Sequence, residues 1–346
     1  MRCLITGASG FIGRHLAGGL LQEGHTVTAL VRPTSDVRQL RHLGVQLVPG
    51  DVTVPNSLAR AMSNQDVVFH LAAIVGKGPN DWAHHASVGV QGTTNVVDAA
   101  EAAGVSRFIA LSSYVVYAPH PDGVPLQEDA PLSDQAAAWN NYARQKVVSE
   151  QLVWQAHASG RIRATTFRPP TVIGAGDPNL VPLFRAILSS PLGMLFNDGQ
   201  HRFPFVVVDD LTRALTQAAE CDAAVGKAYN VAGADSVTVN ALLGYFRQAG
   251  VRPVDRRGWK RAALGTLTMC STLGHAVVRG AGHPGAPLLP RRAIRALEVY
   301  AGRRAQHDCV IDCSRAMADL GWRGISSCEE SVHRAVAWHH ATVAAI

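Results

Sequence analysis

The chain is poor in charge. Only 17% of its 346 residues are Asp, Glu, Lys or Arg, aromatic residues make up 6%, and apolar residues 47%. This balance excludes a highly solvated, disordered chain and leaves enough apolar material for the core of one large domain or two lobes. Cysteine is scarce and scattered, at positions 3, 221, 270, 309, 313 and 328. That spacing gives no disulfide framework, and reduced thiols are expected. Cys309 and Cys313 supply at most half of a metal site, and the neighbours His84-His85 and His339-His340 do not converge on one ion, so no metal is expected. No signal-peptide pattern precedes the first apolar strand, which points to a cytoplasmic protein. Internal repeats and low-complexity tracts are also missing. The net charge of +6 and isoelectric point near 9.2 come largely from Arg-rich segments after residue 250. No nucleic-acid-reading motif goes with them, so no nucleic-acid partner is expected.

What is present is concentrated at the start. Met1 to Gly13 reads as a short apolar strand (Cys3, Leu4, Ile5), then glycines at 7, 10 and 13, then a helical pattern with Leu16, Leu20 and Leu21 on one face. Strand, glycine turn and helix in that order form the context in which spaced glycines bind a dinucleotide. Gly7 permits a tight turn, Gly10 lets the backbone come close to a pyrophosphate, and Gly13 lets the helix pack on the strand. The free N–H groups at the helix start, around Ser9, Phe11 and Ile12, and the partial positive charge there suit phosphates.

A second strand, His25 to Val31, runs into Arg32. An acid at the end of this strand would hold the ribose hydroxyls of NAD, whereas a nearby Arg accommodates the additional phosphate of NADP. The acid is missing and Arg32 follows, so NADP is expected; with Arg32 as a solvated loop charge, NAD would serve as well. Strands follow at Val45 to Val48 and Asp66 to Leu71, with a helix at Val54 to Met62 between them. Asp51, beside Val52 at a strand end, is placed to accept from an adenine amino group or to cap the helix near 55. Leu71, Ala72 and Ala73 are small enough to leave room for a cofactor's ribose and nicotinamide. A helix over His84 to Ala103, closed by Gly104, precedes a strand at Arg107 to Leu111. Strands alternating with helices at this spacing predict an α/β fold, a doubly wound parallel sheet.

The fifth strand ends in Ser112-Ser113, and farther along come Tyr142 and Lys146. A tyrosine and a lysine four apart share one face of a helix. The ammonium favours the phenolate and can also hold a ribose hydroxyl. A phenol so tuned exchanges a proton with an alcohol or carbonyl oxygen near neutral pH. A serine at a neighbouring strand end can hydrogen-bond the same oxygen.

These motifs together resemble the extended short-chain dehydrogenase/reductases, also called the NAD(P)-dependent epimerase/dehydratase family. The resemblance is carried by Thr6 to Gly13, Gly50-Asp51-Val52, His70 to Ala73, Ser112 to Tyr117, Tyr142 with Lys146, Arg168-Pro169-Pro170 through Val172, and Gly174 to Asp177. Phe205 to Leu211, Tyr229 to Val231, Asp312 to Ala316, Leu320 to Trp322 and Glu329 to Val332 extend it over nearly the whole chain. It implies a Rossmann domain at 1–168, rejoined by 205–232, and a smaller, mostly helical substrate lobe at 169–204 and 233–346. It implies Ser113, four before Tyr117, as the catalytic serine rather than Ser112, with Pro169 and Val172 near the cofactor. It also implies a homodimer through helices at about 80–103 and 139–158.

Two departures narrow this. The family's Asn before Val-x-Gly-Thr is Gly89 here, so a contact that steadies that helix is expected to be lost. Nucleotide-sugar members carry an Arg two residues before the aromatic of the Phe-Val-x-Val-Asp-Asp strand; here that position is Phe203, with Arg202 beside it. An apolar ring cannot pair with a diphosphate. Arg32 and the segment Pro287 to Ala301 resemble instead the reductase branch of dihydroflavonol reductases and 3β-hydroxysteroid dehydrogenase-like proteins. A ketone reductase or alcohol dehydrogenase with a small, rather apolar substrate is therefore expected. The alternatives are a nucleotide-sugar epimerase or dehydratase using the same residues for transient oxidation, and a cofactor-binding scaffold. The uncharged stretch Ala262 to Val278, flanked by Arg256, Arg257, Lys260, Arg261 and Arg279, is shorter than the ~20 apolar residues of a membrane span. It reads as a substrate-covering helix, with contact to a membrane surface as the lesser reading.

Overall fold

The computed structural model describes residues 1–75, 81–121, 123–133, 140–189, 199–234, 236–252 and 308–344. The uncharged stretch at 262–278 and the segment at 287–301 lie outside these residues. In chain order the strands are β1 (Arg2–Thr6), β2 (Thr26–Val31), β3 (Gln46–Pro49), β4 (Val67–His70), β5 (Arg107–Leu111) and β6 (Pro125–Leu126). They continue with β7 (Ala164–Phe167), β8 (Thr171–Ile173), β9 (Phe205–Val207), β10 (Ala228–Tyr229) and β11 (Val310–Ile311). Seven of them form one parallel sheet in the order β10-β7-β5-β4-β1-β2-β3. This is the doubly wound Rossmann arrangement that the sequence spacing predicts. Ligands bind such sheets outside the carboxyl ends of the strands.

The helices are α1 (Phe11–Gln22), α2 (Arg38–His42), α3 (Ala59–Met62), α4 (Trp82–His85), α5 (Gly92–Ala102) and α6 (Asn141–Ala158). After these come α7 (Leu180–Ser189), α8 (Val208–Glu220), α9 (Val239–Gln248), α10 (Ser314–Leu320) and α11 (Cys328–Ala344). Alternate strand residues face opposite sides of the sheet. Cys3, Ile5, Ala29 and Phe69 pack with Leu16 and Leu20 of α1 and Leu211 and Leu215 of α8. Leu4, Leu30, Val68 and Phe108 pack on the other side with Val96 of α5 and Val153 of α6. Covering both faces is the reason these strands read as continuous apolar runs. A third apolar cluster gathers Leu180 and Phe184 of α7, Phe205 of β9, Leu242 and Phe246 of α9, and Val332 of α11.

Two expected helices differ in detail. Over 54–62, Pro55 opens a 3-10 turn, Pro55–Ser57, and α3 follows it as a short separate helix. Proline suits a first helical position because it has no N–H to satisfy. The helix expected from His84 starts at Trp82, because Asp81 Oδ1 accepts from His84 N at 2.8 Å. Its middle, Ala86–Gln91, is π-helical around Gly89, and α5 continues from it. Gly104, at φ +63°, closes α5 as expected. Among the described residues no helix is long and apolar enough to cross a membrane.

Candidate active site

The turn from β1 into α1 depends on glycines at 7 and 13. Gly7 stands at φ +75°, and a Cβ there would come within 2.9 Å of Ala72 N and of Leu71 C. A Cβ on residue 13 would lie 2.4 Å from Gly7 O and 2.6 Å from Ala8 Cα, so only glycine lets the helix meet the turn. Gly10 is the N-cap of α1 and no side chain caps that helix. The N–H groups at its start, near Ser9, Phe11 and Ile12, therefore fit a pyrophosphate. Phe11 packs edge-on against His15 at 5.5 Å, and Arg14 Nη2 donates to Gly176 O at 3.2 Å. Burial pushes the Arg14 guanidinium below its ordinary range, with Asp36 working against that.

Arg32 is exposed, directly after β2. Asp51 is half-buried, and its Oδ1 accepts from Thr53 N and Thr53 Oγ1, both at 2.8 Å. It thus caps its own turn rather than the helix near 55. Val52 is buried, and its carbonyl accepts from Asn95 Nδ2 at 2.8 Å, tying the loop to α5. Leu71, Ala72 and Ala73 leave β4 against the glycine turn, half-buried. Pro169 O accepts from Tyr114 N at 3.1 Å, and Val172 lies on β8 beside Val206.

Ser113 is buried at the exit of β5, where its Oγ accepts from Val115 N at 3.4 Å. The O–H is thereby left to donate elsewhere. Ser112 Oγ instead donates to Glu150 Oε2. Tyr142 sits half-buried in the first turn of α6, whose start is capped by Asn140 Oδ1 accepting from Ala143 N at 3.1 Å. One turn on, the buried Lys146 Nζ donates to Leu111 O at 2.6 Å. Burial lowers its pKa to about 8, with the Glu150 charge pulling upward. A cavity of about 20 Å³ is bordered by His70, Ala72, Ala73, Leu111, Gln145 and Lys146, among others. Ser113 and Tyr142 lie outside its lining, at the end of β5 and the start of α6.

Several neighbours complete the site. Glu150 Oε1 accepts from Arg168 Nε at 2.9 Å and Nη2 at 2.5 Å, both side chains being almost wholly buried. Burial opposes the Arg168 charge, yet pairing with Glu150 leaves its pKa raised. Glu150 stands four after Lys146 on α6, a spacing that could have flagged it. His70 is buried, and burial lowers its pKa to about 3, helped by Lys146. Gln145, fully buried between Tyr142 and Lys146, has no such signal because its partners are distant in the chain.

The geometry agrees with what the chain is similar to. The family model described as "NAD dependent epimerase/dehydratase family" matches residues 3–232. A 2-alkyl-3-oxoalkanoate reductase of Stenotrophomonas maltophilia (strain K279a) is 32% identical over 290 residues, 79% of this chain and 83% of that one. A 3 beta-hydroxysteroid dehydrogenase/isomerase of Mycobacterium tuberculosis (strain ATCC 25618 / H37Rv) is 29% identical over 250 residues, 69% of this chain and 66% of that one. The solved UDP-glucose 4-epimerase of Thermotoga maritima shares the fold, with a TM-score of 0.71 at 20% identity over 99% of this chain and 100% of that one. The chain therefore belongs to the NAD dependent epimerase/dehydratase family, the extended short-chain dehydrogenase/reductases, and is an NAD(P)-dependent enzyme.

Proposed function

We propose that this enzyme is an NADP-dependent reductase of a carbonyl on a small, rather apolar substrate, acting in reverse as a secondary-alcohol dehydrogenase. The observation that carries the substrate class lies two residues before Phe205. Phe203 meets Phe184 edge-on at 6.2 Å, and Phe184 stacks on Phe246 at 4.2 Å. The adjacent Arg202 is committed: its Nε and Nη2 donate to Asp308 Oδ2 at 3.0 and 2.8 Å, and its backbone N to Oδ1 at 2.6 Å. Arg202 holds the Asp308 carboxyl below the usual carboxylate range. A sugar diphosphate would need such a cation for itself. The name of the S. maltophilia relative, a reductase of a 3-oxoalkanoate, supports the same reading.

Bound NADPH supplies the hydride for the carbonyl carbon. The turn at Gly7, Gly10 and Gly13 holds its pyrophosphate, with Arg32 at the ribose phosphate, Asp51 and Val52 by the adenine, and Leu71 to Ala73, Pro169 and Val172 by the ribose and nicotinamide. Tyr142 Oη gives its proton to the carbonyl oxygen, which becomes the alcohol hydroxyl. Ser113 hydrogen-bonds that oxygen while its charge develops. The Lys146 ammonium favours the phenolate that Tyr142 leaves behind and holds a ribose hydroxyl. The residues at 169–204 and 233–346 form the substrate lobe in this reading, and the homodimer pairs through α4 to α5 and α6.

The test is NADPH oxidation against a panel of ketones, 3-oxo acids, aldehydes and nucleotide sugars. Loss of NADPH with the ketones and none with the sugars is the expected result. Interconversion of a nucleotide sugar without net loss of NADPH would overturn the proposal in favour of an epimerase. Arg32→Ala is expected to raise KM for NADPH and leave KM for NADH unchanged; equal changes would remove Arg32 from the cofactor assignment.

A further inference from the structure

Gly89 and Gln145 play no part in the chemistry above, yet their geometry is reciprocal. A Cβ on residue 89 would lie 2.3 Å from Gln145 Oε1, 2.9 Å from Cδ and 3.1 Å from Cβ. The glutamine thus occupies the space into which a side chain at 89 would project. From there its Nε2 donates to Ile74 O at 2.6 Å, on the backbone leaving β4.

The same backbone is held at its other end by a chain of hydroxyls. Ala72 N donates to Thr6 Oγ1 at 3.4 Å, Thr6 Oγ1 meets His70 Nδ1 at 2.8 Å, and His70 Nε2 meets Thr93 Oγ1 at 2.9 Å. Thr93 Oγ1 donates its one hydrogen to Gly89 O at 2.6 Å, and Ser149 Oγ of α6 has both that carbonyl and Gln145 O of its own helix at 2.6 Å as acceptors for its one hydrogen. Thr93 must then accept from His70, so the network assigns the proton to Nε2 and makes Nδ1 the acceptor from Thr6. Residues 72–74 are therefore tied to α6 directly through Gln145, with the hydroxyl network ending at the Gly89 carbonyl beside Ser149.

We propose that Gln145 is a positioning residue. Standing in the space that Gly89 leaves, it fastens the backbone of residues 72–74 to the helix that carries Tyr142 and Lys146. This rests on the cofactor placement proposed above, in which that backbone borders the ribose and nicotinamide. Cofactor cradle and proton donor then move as one body, which matters because small misplacements of reacting groups cost large factors in rate.

Three variants test this through NADPH binding, measured by fluorescence titration, alongside the thermal midpoint. Gln145→Leu keeps the volume and removes the donor, and Gln145→Ala removes both. Gly89→Asn added to Gln145→Ala returns an amide from the opposite side. Gln145→Leu is expected to weaken NADPH binding about tenfold, on the scale of one hydrogen bond, and to lower the thermal midpoint by only a few degrees. The double variant is expected to recover most of the affinity that Gln145→Ala loses. Gln145→Leu binding as tightly as wild type overturns the proposal, as does a folded double variant that binds no better than Gln145→Ala. Should the double variant not fold, the comparison of Gln145→Leu with wild type decides. Failure of the carbonyl-reduction reading would show separately, as wild-type enzyme that turns over no ketone.

Discussion

The turn after β1 and the junction of β5 with α6 lie at the same end of the sheet, but they are made of different materials. The first consists of backbone: glycines too close to their neighbours to bear a Cβ, and an uncapped helix start. The second consists of buried polar side chains: Lys146 on Leu111 O, Ser112 and Arg168 on Glu150, and Gln145 on Ile74 O. A backbone cradle suits the phosphates of the proposed cofactor, whose charge is the same before and after the reaction. Proton transfer needs a group whose charge changes, and on the proposed mechanism that group is Tyr142, one turn from the Lys146 ammonium, whose pKa burial lowers. One region is shaped by steric exclusion and the other by desolvation.

The contrast can be broken from either side. Tyr142→Phe, in the polar region, should produce the largest effect: a loss of about 10²–10⁴-fold in turnover, the usual worth of a positioned acid, with NADPH affinity retained. Full activity in this variant would remove Tyr142 from the chemistry. In the glycine turn, Gly13→Ala should cost about 1–3 kcal/mol, since backbone on two sides cannot give way. Gly19→Ala, in the same helix with nothing within 4 Å of its added Cβ, should instead stabilise by about 0.5–1 kcal/mol. Thermal midpoints of the two variants, measured side by side, check this; equal shifts would contradict it. The smallest effect is the pH profile. On the proposed mechanism Lys146 works as the ammonium; burial pushes its pKa down to about 8, so the charge is lost as pH rises through that value. The rate constant kcat/KM for reduction should therefore fall above about pH 8, whereas a profile flat to pH 10 would separate Lys146 from the reaction.

The same contrast explains what the sequence made legible. The glycine turn sits in thirteen consecutive residues, and each glycine answers a local steric demand, so strand, turn and helix are readable in order. The strand at Arg107–Leu111 is observed with the bounds expected from its apolar run. The polar region is assembled from segments far apart in the chain. Tyr142 and Lys146 are readable because helical spacing joins them, and Glu150 could have been read the same way. Gln145 could not, since its partners Ile74 and Gly89 come from β4's exit and the π-helical segment. The absence of a side chain at 89 reads in sequence as a lost contact; in the structure the space is filled from α6. The boundary at Trp82 depends on the Asp81 cap, a bond that apolar periodicity does not reveal.

Net hydride transfer is the centre of the account, and isotope tracing tests it most directly. With NADPH deuterated at the transferred position and a ketone acceptor, the product alcohol should carry one deuterium on its carbinol carbon, and one NADP⁺ should form per alcohol. Product formed without deuterium, with the cofactor recovered still reduced, would contradict the account.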